Sequence, residues 1–376
     1  MTELFEPFNL GDITLRNRVV MAPLTRSRSP NDAATERVAL YYTQRATAGL
    51  IVSEGTPISR EGQGYLFNPG IFSAEQIAGW RLTTDSVHAA GGKMFAQIWH
   101  VGRVSHPSIQ EDGKLPVSAS SKKPEGASAF GYDAEGSPAL VEPPAPRPLT
   151  TEEVGRIVGE FAQAAENAIV AGFDGVEIHG ANGYLHEQFL NPLVNDRTDQ
   201  YSAGELRNRI RFTLEVIDAV VARIGAGRVG IRISPYGELF DMPVYEQIDE
   251  TYSELVSEIG ARKLAYVHVM DQSNFPAPGK EDSDGGSNQA FINLLSSFKS
   301  KLPNTAVILA GGMTRERAEQ LIGDGVIDLA AFGTAYISNP DLVARLQHQW
   351  PLNEADRATF YGGGAEGYID YSPYKG

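Results

Sequence analysis

A chain of 376 residues, 42% hydrophobic and 21% charged, has the composition of a folded globular protein with room for one large domain or two smaller ones. A net charge of −15 argues against nucleic acid or an anionic membrane surface as partner. Zero Cys excludes disulfides, thiolate nucleophiles, iron–sulfur clusters and cysteine zinc sites together.

No apolar run approaches the roughly 20 residues needed to span a bilayer, and Met1-Thr2-Glu3 opens without a basic, apolar leader, so the expected location is the cytosol. Residues 5–20 read as a short cap: apolar–polar alternation brackets a turn at Leu10-Gly11-Asp12, which suits a small hairpin. A repeated grammar then begins. Short β-branched or apolar runs occur at Arg18 to Thr25, Leu50 to Thr56, Lys93 to His100 and Gly175 to Ala181. Four more follow at Val229 to Ser234, Ala265 to Asp271, Ala306 to Gly311 and Leu329 to Thr334. Between them lie helical patterns at Glu36 to Ala48, Ala74 to Ala90, Thr151 to Ala171, Asn208 to Ile224, Ile248 to Ile259, Thr314 to Gly323 and Pro340 to Leu346.

Buried-type strands alternating with helices predict a parallel sheet closed into a single (β/α)8 TIM barrel spanning residues 1–376. The rival, an open doubly wound sheet, needs a Gly-x-Gly-x-x-Gly turn after its first strand, and Met21-Ala22-Pro23-Leu24-Thr25-Arg26 offers no glycine. Two connections are longer than a barrel requires: 101–150, rich in Pro, Gly and Ser, after strand three, and the acidic, glycine-rich 272–290 after strand six. Both leave the C-terminal ends of strands, where barrel active sites lie, so both are candidate lids. The aromatic tail from Phe360 to Tyr374 is expected to pack back onto the barrel.

The densest stretch is Gly175-Val176-Glu177-Ile178-His179-Gly180-Ala181-Asn182-Gly183-Tyr184. Small residues leave the backbone free to turn, so His179, Asn182 and Tyr184 can project into one space. Two donors beside a phenol suit a site that polarises a carbonyl and delivers a proton. An ordinary strand-to-helix loop with a satisfied His and Tyr reads equally well from these residues alone. The other strand ends put Thr25, Gly55, Gln97, Trp99, Arg232, Gly311-Gly312 and Gly333-Thr334 on the same rim. Glycine-bearing turns after strands seven and eight, with a helix start behind them, form the usual phosphate cradle of this fold, or they merely close tight turns. Thr25, Gln97 and Arg232 suit the edge of a flat heteroaromatic ring; alternatively Gln97 satisfies backbone and Arg232 pairs with Glu177. No metal site is expected, because the seven His are scattered and none is paired at helical spacing beside a carboxylate. His268 reads as a hydrogen-bonded interior side chain.

With these residues in place, the chain resembles the old yellow enzyme family of flavin-dependent ene-reductases, most closely the bacterial branch of N-ethylmaleimide reductase and the nitrate-ester reductases. The resemblance rests on Met21-Ala22-Pro23-Leu24-Thr25-Arg26, Gln97-Ile98-Trp99-His100, His179-Gly180-Ala181-Asn182-Gly183-Tyr184-Leu185, Asn339-Pro340-Asp341-Leu342-Val343 and the run from Phe360 to Tyr368. It implies non-covalent FMN, with Pro23, Leu24, Thr25 and Gly55 along the ring, Gln97 at its pyrimidine edge and Arg232 near N1. Gly311, Gly312 and Gly333 would cradle the phosphate. It further implies NAD(P)H as electron donor and a small electron-poor alkene as substrate, with nitrate esters or nitroaromatics as side substrates. His179 and Asn182 would hold the substrate oxygen, flavin N5 would give hydride to the β-carbon, and Tyr184 would protonate the α-carbon. Tyr65, Trp99 and Tyr361 would form aromatic walls.

The chain departs from the family pattern in three places. Thr334 stands where an Arg that contacts the phosphate is usual, and Arg315 is the expected substitute. The run Tyr201-Ser202-Ala203-Gly204-Glu205-Leu206-Arg207-Asn208-Arg209 is one residue longer than usual, with Arg207 in place of an acid. Gly55 replaces a frequent Ala. Two rivals bring different chemistry. An oxidative relative on this scaffold commonly carries a cysteine-bound cluster, which zero Cys opposes. A flavin-binding protein that has lost catalysis is opposed by the intact His179, Asn182 and Tyr184. No isolated apolar face marks a subunit interface.

Overall fold

The computed structural model describes residues 3–272 and 289–376. Eight parallel strands close into a barrel, in chain order Val19–Met21, Leu50–Pro57, Met94–Trp99, Gly175–Gly180, Val229–Ile233, Tyr266–Met270, Ala306–Ala310 and Leu329–Phe332. Every expected run therefore carries a strand, most of them shorter than the run, while the second extends one residue further, to Pro57. Strands of this kind are buried on both faces, and all but two of their residues here are buried, the exceptions being Met270 and Ala306.

Two packed layers result. Outside the sheet, a large apolar cluster joins the strands to the helices, with Trp80, Phe161, Val216 and Leu255 fully buried. Burial of a side chain of this size contributes about 1.5–3 kcal/mol. Inside, Phe95 and Tyr266 meet with ring centroids 5.8 Å apart. Glycine makes room for them: a Cβ on Gly175 would lie 2.5 Å from the Phe95 ring, and one on Gly230 2.3 Å from Tyr266. The expected hairpin, Phe8–Leu10 paired with Ile13–Leu15, adds Leu10 and Leu15 to this interior cluster. Its turn hydrogen-bonds Gly227, just before strand five, so it closes the N-terminal end of the barrel. The opposite end stays open for loops.

The helices follow the predicted patterns with shifted ends. Asn208 to Ile224 divides at Ile210 into Leu206–Arg209 and Arg211–Ile224, and the helix expected from Pro340 begins at Leu342. Helices Leu185–Leu190 and Gln289–Lys301 were not anticipated. Residues 101–150 are more ordered than their composition suggests. Within them Ala129–Tyr132 pairs antiparallel with Pro138–Val141, and Val117–Ser118 pairs with Arg147–Pro148. Of the second long connection, 273–288 lies outside the described residues, and its last positions belong to the helix from Gln289.

The aromatic tail does return to the barrel. Arg26 donates to the carbonyls of Phe360, Thr359 and Gly367, and Arg28 to those of Thr359, Gly364 and Glu366. Tyr368 is fully buried and stacks on Tyr41 at 4.1 Å. Two buried guanidiniums thus satisfy the irregular carbonyls of the tail, a role suited to Arg with its five fixed donors.

Candidate active site

Strand register puts the polar rim in order. Glu177 lies opposite Gln97, His179 opposite Arg232, and Arg232 opposite His268. Alternation along strand four turns both Glu177 and His179 to the interior. Glu177 does not form the direct ion pair with Arg232 that its position allows. Its carboxylate instead accepts from Gln97 Nε2 at 2.8 Å and meets His268 Nδ1 at 2.9 Å. Burial pushes the Glu177 carboxyl upward, but His268, Arg232 and the Gln97 bond outweigh it and hold it below its ordinary value. His268 is a buried, bonded interior side chain, as expected.

Arg232 is 6% exposed, and its Nε has no partner. Its only hydrogen bond among the described residues is a weak one from Nη2 to Met270 Sδ, at 3.1 Å. A buried cation with unspent donors is costly unless an electron-rich group completes it. Gln97 has committed its Nε2 to Glu177, so its carbonyl oxygen is the end left to offer. Pro23, Leu24 and Thr25 run past the end of strand one, half-buried, and the Thr25 hydroxyl has no partner among the described residues. Gly55 sits opposite Gln97 beside a register shift in strand two, and Trp99 packs so closely that a Cβ on Gly55 would lie 2.7 Å from the indole. Cation, amide oxygen, hydroxyl and glycine-bared backbone fit the edge and face of a flat heteroaromatic ring.

At the far side, Gly311 and Gly312 adopt φ of 111° and 52°, a positive-φ turn that favours glycine. A Cβ on Gly311 would strike the Asp271 carbonyl at 2.1 Å, so the turn is closed to other residues. Gly333 leads directly into the short helix Thr334–Ser338, and Thr334 itself is exposed. Glycines with bare amides at two adjacent strand ends suit a phosphate. The expected substitute cation, Arg315, is not there. It pairs with Glu319 at 2.7 Å, donates to the Leu346 carbonyl at 2.8 Å, and stacks on Phe5. Two residues on a helix are about 200° apart, so it is Arg317 that turns to the cradle. Arg317 donates to the Gly311 carbonyl and pairs with Asp271 at 2.8 Å.

Around the end of strand four the rings of His179, Tyr184 and Trp99 converge. The His179 and Tyr184 rings meet edge to face at 5.0 Å; Trp99 lies 5.6 Å from His179 and 4.9 Å from Tyr184. Tyr184 and Tyr65 share a hydrogen bond between hydroxyls, 3.0 Å long. Tyr65 is held at the mouth by a bridge to Phe130 in the third-strand connection, and it stacks on Trp99 at 5.7 Å. Tyr361 is 68% exposed and stands farther out, near enough to raise the Tyr65 and Tyr184 phenols electrostatically. Phe240, which the sequence did not single out, packs on Tyr184 at 5.3 Å.

The electrostatics leave neutral donors. Burial, then the charge of Arg232, holds the His179 imidazole well below its ordinary value, so it is uncharged at neutral pH. Its Nδ1 accepts from the Ala181 amide at 3.4 Å, which leaves the proton on Nε2. Burial, then the neighbouring Tyr65, pushes the Tyr184 phenol well above its ordinary range, so it keeps its proton. Asn182 has φ of 60°; its amide N–H donates to Ser234 Oγ at 2.7 Å and its Oδ1 accepts from Gln272 Nε2 at 2.9 Å. That leaves Asn182 Nδ2 as the free end of the amide.

Comparison with known proteins agrees with this geometry. The profile of the NADH:flavin oxidoreductase / NADH oxidase family matches residues 3–353. The chain is 42% identical over 373 residues to 12-oxophytodienoate reductase 1 of Oryza sativa subsp. japonica, covering 98% of this chain and 92% of that protein. Among solved structures it resembles morphinone reductase in complex with tetrahydroNAD, with a TM-score of 0.92, 42% identity and coverage of 100% and 98% of the two chains. It also resembles the old yellow enzyme homologue from Zymomonas mobilis, with a TM-score of 0.89, 34% identity and coverage of 99% and 100%.

Proposed function

Since the chain belongs to the NADH:flavin oxidoreductase / NADH oxidase family, as an ene-reductase of the old yellow enzyme type that uses FMN and a nicotinamide donor, we propose that it reduces alkenes activated by a carbonyl or nitro group through His179, Asn182 and Tyr184. The observation that carries this reading is an uncharged imidazole, His179, meeting a protonated phenol, Tyr184, at 5.0 Å on the strand end that leads into Asn182. FMN, when bound, would supply the hydride chemistry that links the nicotinamide to the alkene. Pro23, Leu24, Thr25, Gly55, Gln97 and Arg232 are the residues proposed for its ring, and Gly311, Gly312, Gly333 and Thr334 for its phosphate. The unpaired Arg232 Nε and the positive-φ glycine turn both fit that assignment.

The protein's share of the chemistry is then electrostatic and protonic. His179 Nε2 and Asn182 Nδ2 donate to the carbonyl or nitro oxygen of the alkene. Negative charge develops on that oxygen as the β-carbon is reduced, so donors fixed in a dry site lower the barrier more than they stabilise the ground state. Neutral donors suit the task, because a charged imidazole beside Arg232 would be expensive to bury. Tyr184 gives its hydroxyl proton to the α-carbon, and Tyr65, 3.0 Å away, is placed to hydrogen-bond the phenolic oxygen as it does so. Trp99, Tyr65, Tyr361 and Phe240 wall the space above. Nitrate esters and nitroaromatics present the same kind of oxygen and are proposed as side substrates.

The purified protein tests this directly. It is expected to be yellow and to oxidise NADH or NADPH faster when cyclohexenone is present. A colourless protein that takes up no added FMN would overturn the reading.

A further inference from the structure

Behind the turn that presents Asn182 lies a buried carboxylate that pairs with no cation among the described residues. Glu187 belongs to the short helix Leu185–Leu190, and its two oxygens accept three short hydrogen bonds. Gly183 N–H reaches Oε2 at 2.6 Å, while Ser234 Oγ and Tyr252 Oη reach Oε1 at 2.6 and 2.8 Å. Ser234 Oγ is the same atom that accepts from the Asn182 amide. A single side chain therefore holds both left-handed residues of the turn, Gly183 directly and Asn182 through Ser234, with φ of 77° and 60°. Asn at such a φ is tolerated but strained relative to glycine, so it persists where its surroundings over-determine it.

We propose that Glu187 is a positioning residue for the alkene oxygen: its charged form fixes the Asn182–Gly183 turn, and its protonation loosens that turn. The inference rests on the assignment of Asn182 as an oxygen donor. Protonation takes up one of the carboxylate's roughly four lone-pair sites and removes its charge, so the three hydrogen bonds it accepts lose their charge-assisted strength. The surroundings make this change reachable near neutral pH. Burial pushes the Glu187 carboxyl up to about 7, against the opposing pull of Ser234, Gly183 and Tyr252.

The groups facing it do little to oppose that. From the helix Ile248–Arg262 comes the Tyr252 phenol, pushed well above its ordinary range by burial and then by Glu187. From the loop before it comes Tyr245, raised chiefly by burial and also by Glu187, with the Arg209 guanidinium over its ring at 5.9 Å. Tyr236 is bonded to Asp249, and His186, on the same helix as Glu187, turns to Thr213. Among the described residues no Lys, Arg or His pairs with Glu187. A cavity of about 10 Å³, lined by Glu187, Ser234, Tyr236, Met242, Tyr245 and Tyr252, borders the carboxylate. That is room for about one water, enough for proton exchange without unfolding.

Glu187→Gln and Glu187→Asp, each loaded with FMN, test the proposal by two readouts. In the wild type, KM for cyclohexenone is expected to rise as pH falls through about 7, the carboxylate being charged above that value. Glu187→Gln should lose the step and show a KM about tenfold above wild type on the alkaline side, the scale of a small misplacement of a binding group. Glu187→Asp should restore part of the step. Hydrogen exchange in the peptide containing Asn182 and Gly183 should be faster in Glu187→Gln, independently of any activity. A Glu187→Gln protein with the wild-type pH profile and unchanged exchange would overturn the positioning role. Faster exchange in a protein that never reduces cyclohexenone would support the positioning role and overturn the alkene reading instead.

Discussion

The two ends of the barrel mouth are built on different principles. At the His179–Tyr184 end, the proposed binding groups are side chains and every one is braced: Asn182 by Ser234 and Gln272, Tyr184 by Tyr65 and Trp99, His179 by the Ala181 amide. At the Gly311–Thr334 end, the proposed binding groups are backbone amides of half-exposed turns, and Arg317, which donates to the Gly311 carbonyl, is already paired with Asp271. The first arrangement suits charge that appears only during reaction, since preorganised neutral dipoles need not rearrange when it forms. The second suits a permanent anion, which amides and a compensated Arg can hold in a chain of net charge −15.

Substitutions should separate the two ends cleanly. The largest effect is expected at the braced end: His179→Ala or Asn182→Ala should lower kcat/KM for cyclohexenone by about 10²–10³-fold, the usual range for a lost oxyanion donor. FMN affinity should not change. An equal fall in FMN affinity would mean the ends are not separate. Next comes Arg317→Ala, which removes a cation and leaves Asp271 without that partner beside the cradle. Titration of the apoprotein should show FMN bound about tenfold more weakly, the worth of one charge-assisted hydrogen bond, with Arg315→Ala as the unaffected control. Thr334→Arg adds an exposed cation and should tighten FMN by no more than about threefold, because exposed ion pairs contribute about 0–1 kcal/mol. An unchanged dissociation constant would show that the phosphate is already satisfied.

The smallest effect concerns Glu54, on strand two beside Gly55. Burial raises its carboxyl to about 7, although Arg26 and Asn68 pull the other way. The folded state therefore binds this proton more tightly than the unfolded chain, and stability from this group falls as pH rises from 4.5 through about 7. Glu54→Gln should gain melting temperature relative to wild type across that window, by roughly a few degrees. A difference independent of pH would mean that the carboxyl does not titrate there.

Much of this was legible in the sequence, for reasons that also explain the gaps. Strands buried on both faces announce themselves as β-branched runs, so the barrel and its rim residues could be placed from spacing alone. The cluster of His179, Asn182 and Tyr184 was visible because small residues isolate it. Glu187 was not, since a six-residue helix carries no period and its partners Ser234 and Tyr252 come from distant strands and helices. Arg317 was missed in favour of Arg315 because the facing of a helix's first turn depends on its cap, here Thr314 Oγ1 accepting from Arg317 N–H. The hairpin inside 101–150 was hidden by Pro and Ser, although Asp133 and Gly136 at its turn were a usable signal.

The most direct test is anaerobic kinetics of the two half-reactions in Tyr184→Phe. Reduction of bound FMN by NADH should proceed at the wild-type rate, while reoxidation by cyclohexenone should slow by about 10²-fold or more, the low end of general acid catalysis. Equal slowing of both halves, or neither, would contradict Tyr184 as the proton donor and with it the division of labour proposed for the His179–Tyr184 turn.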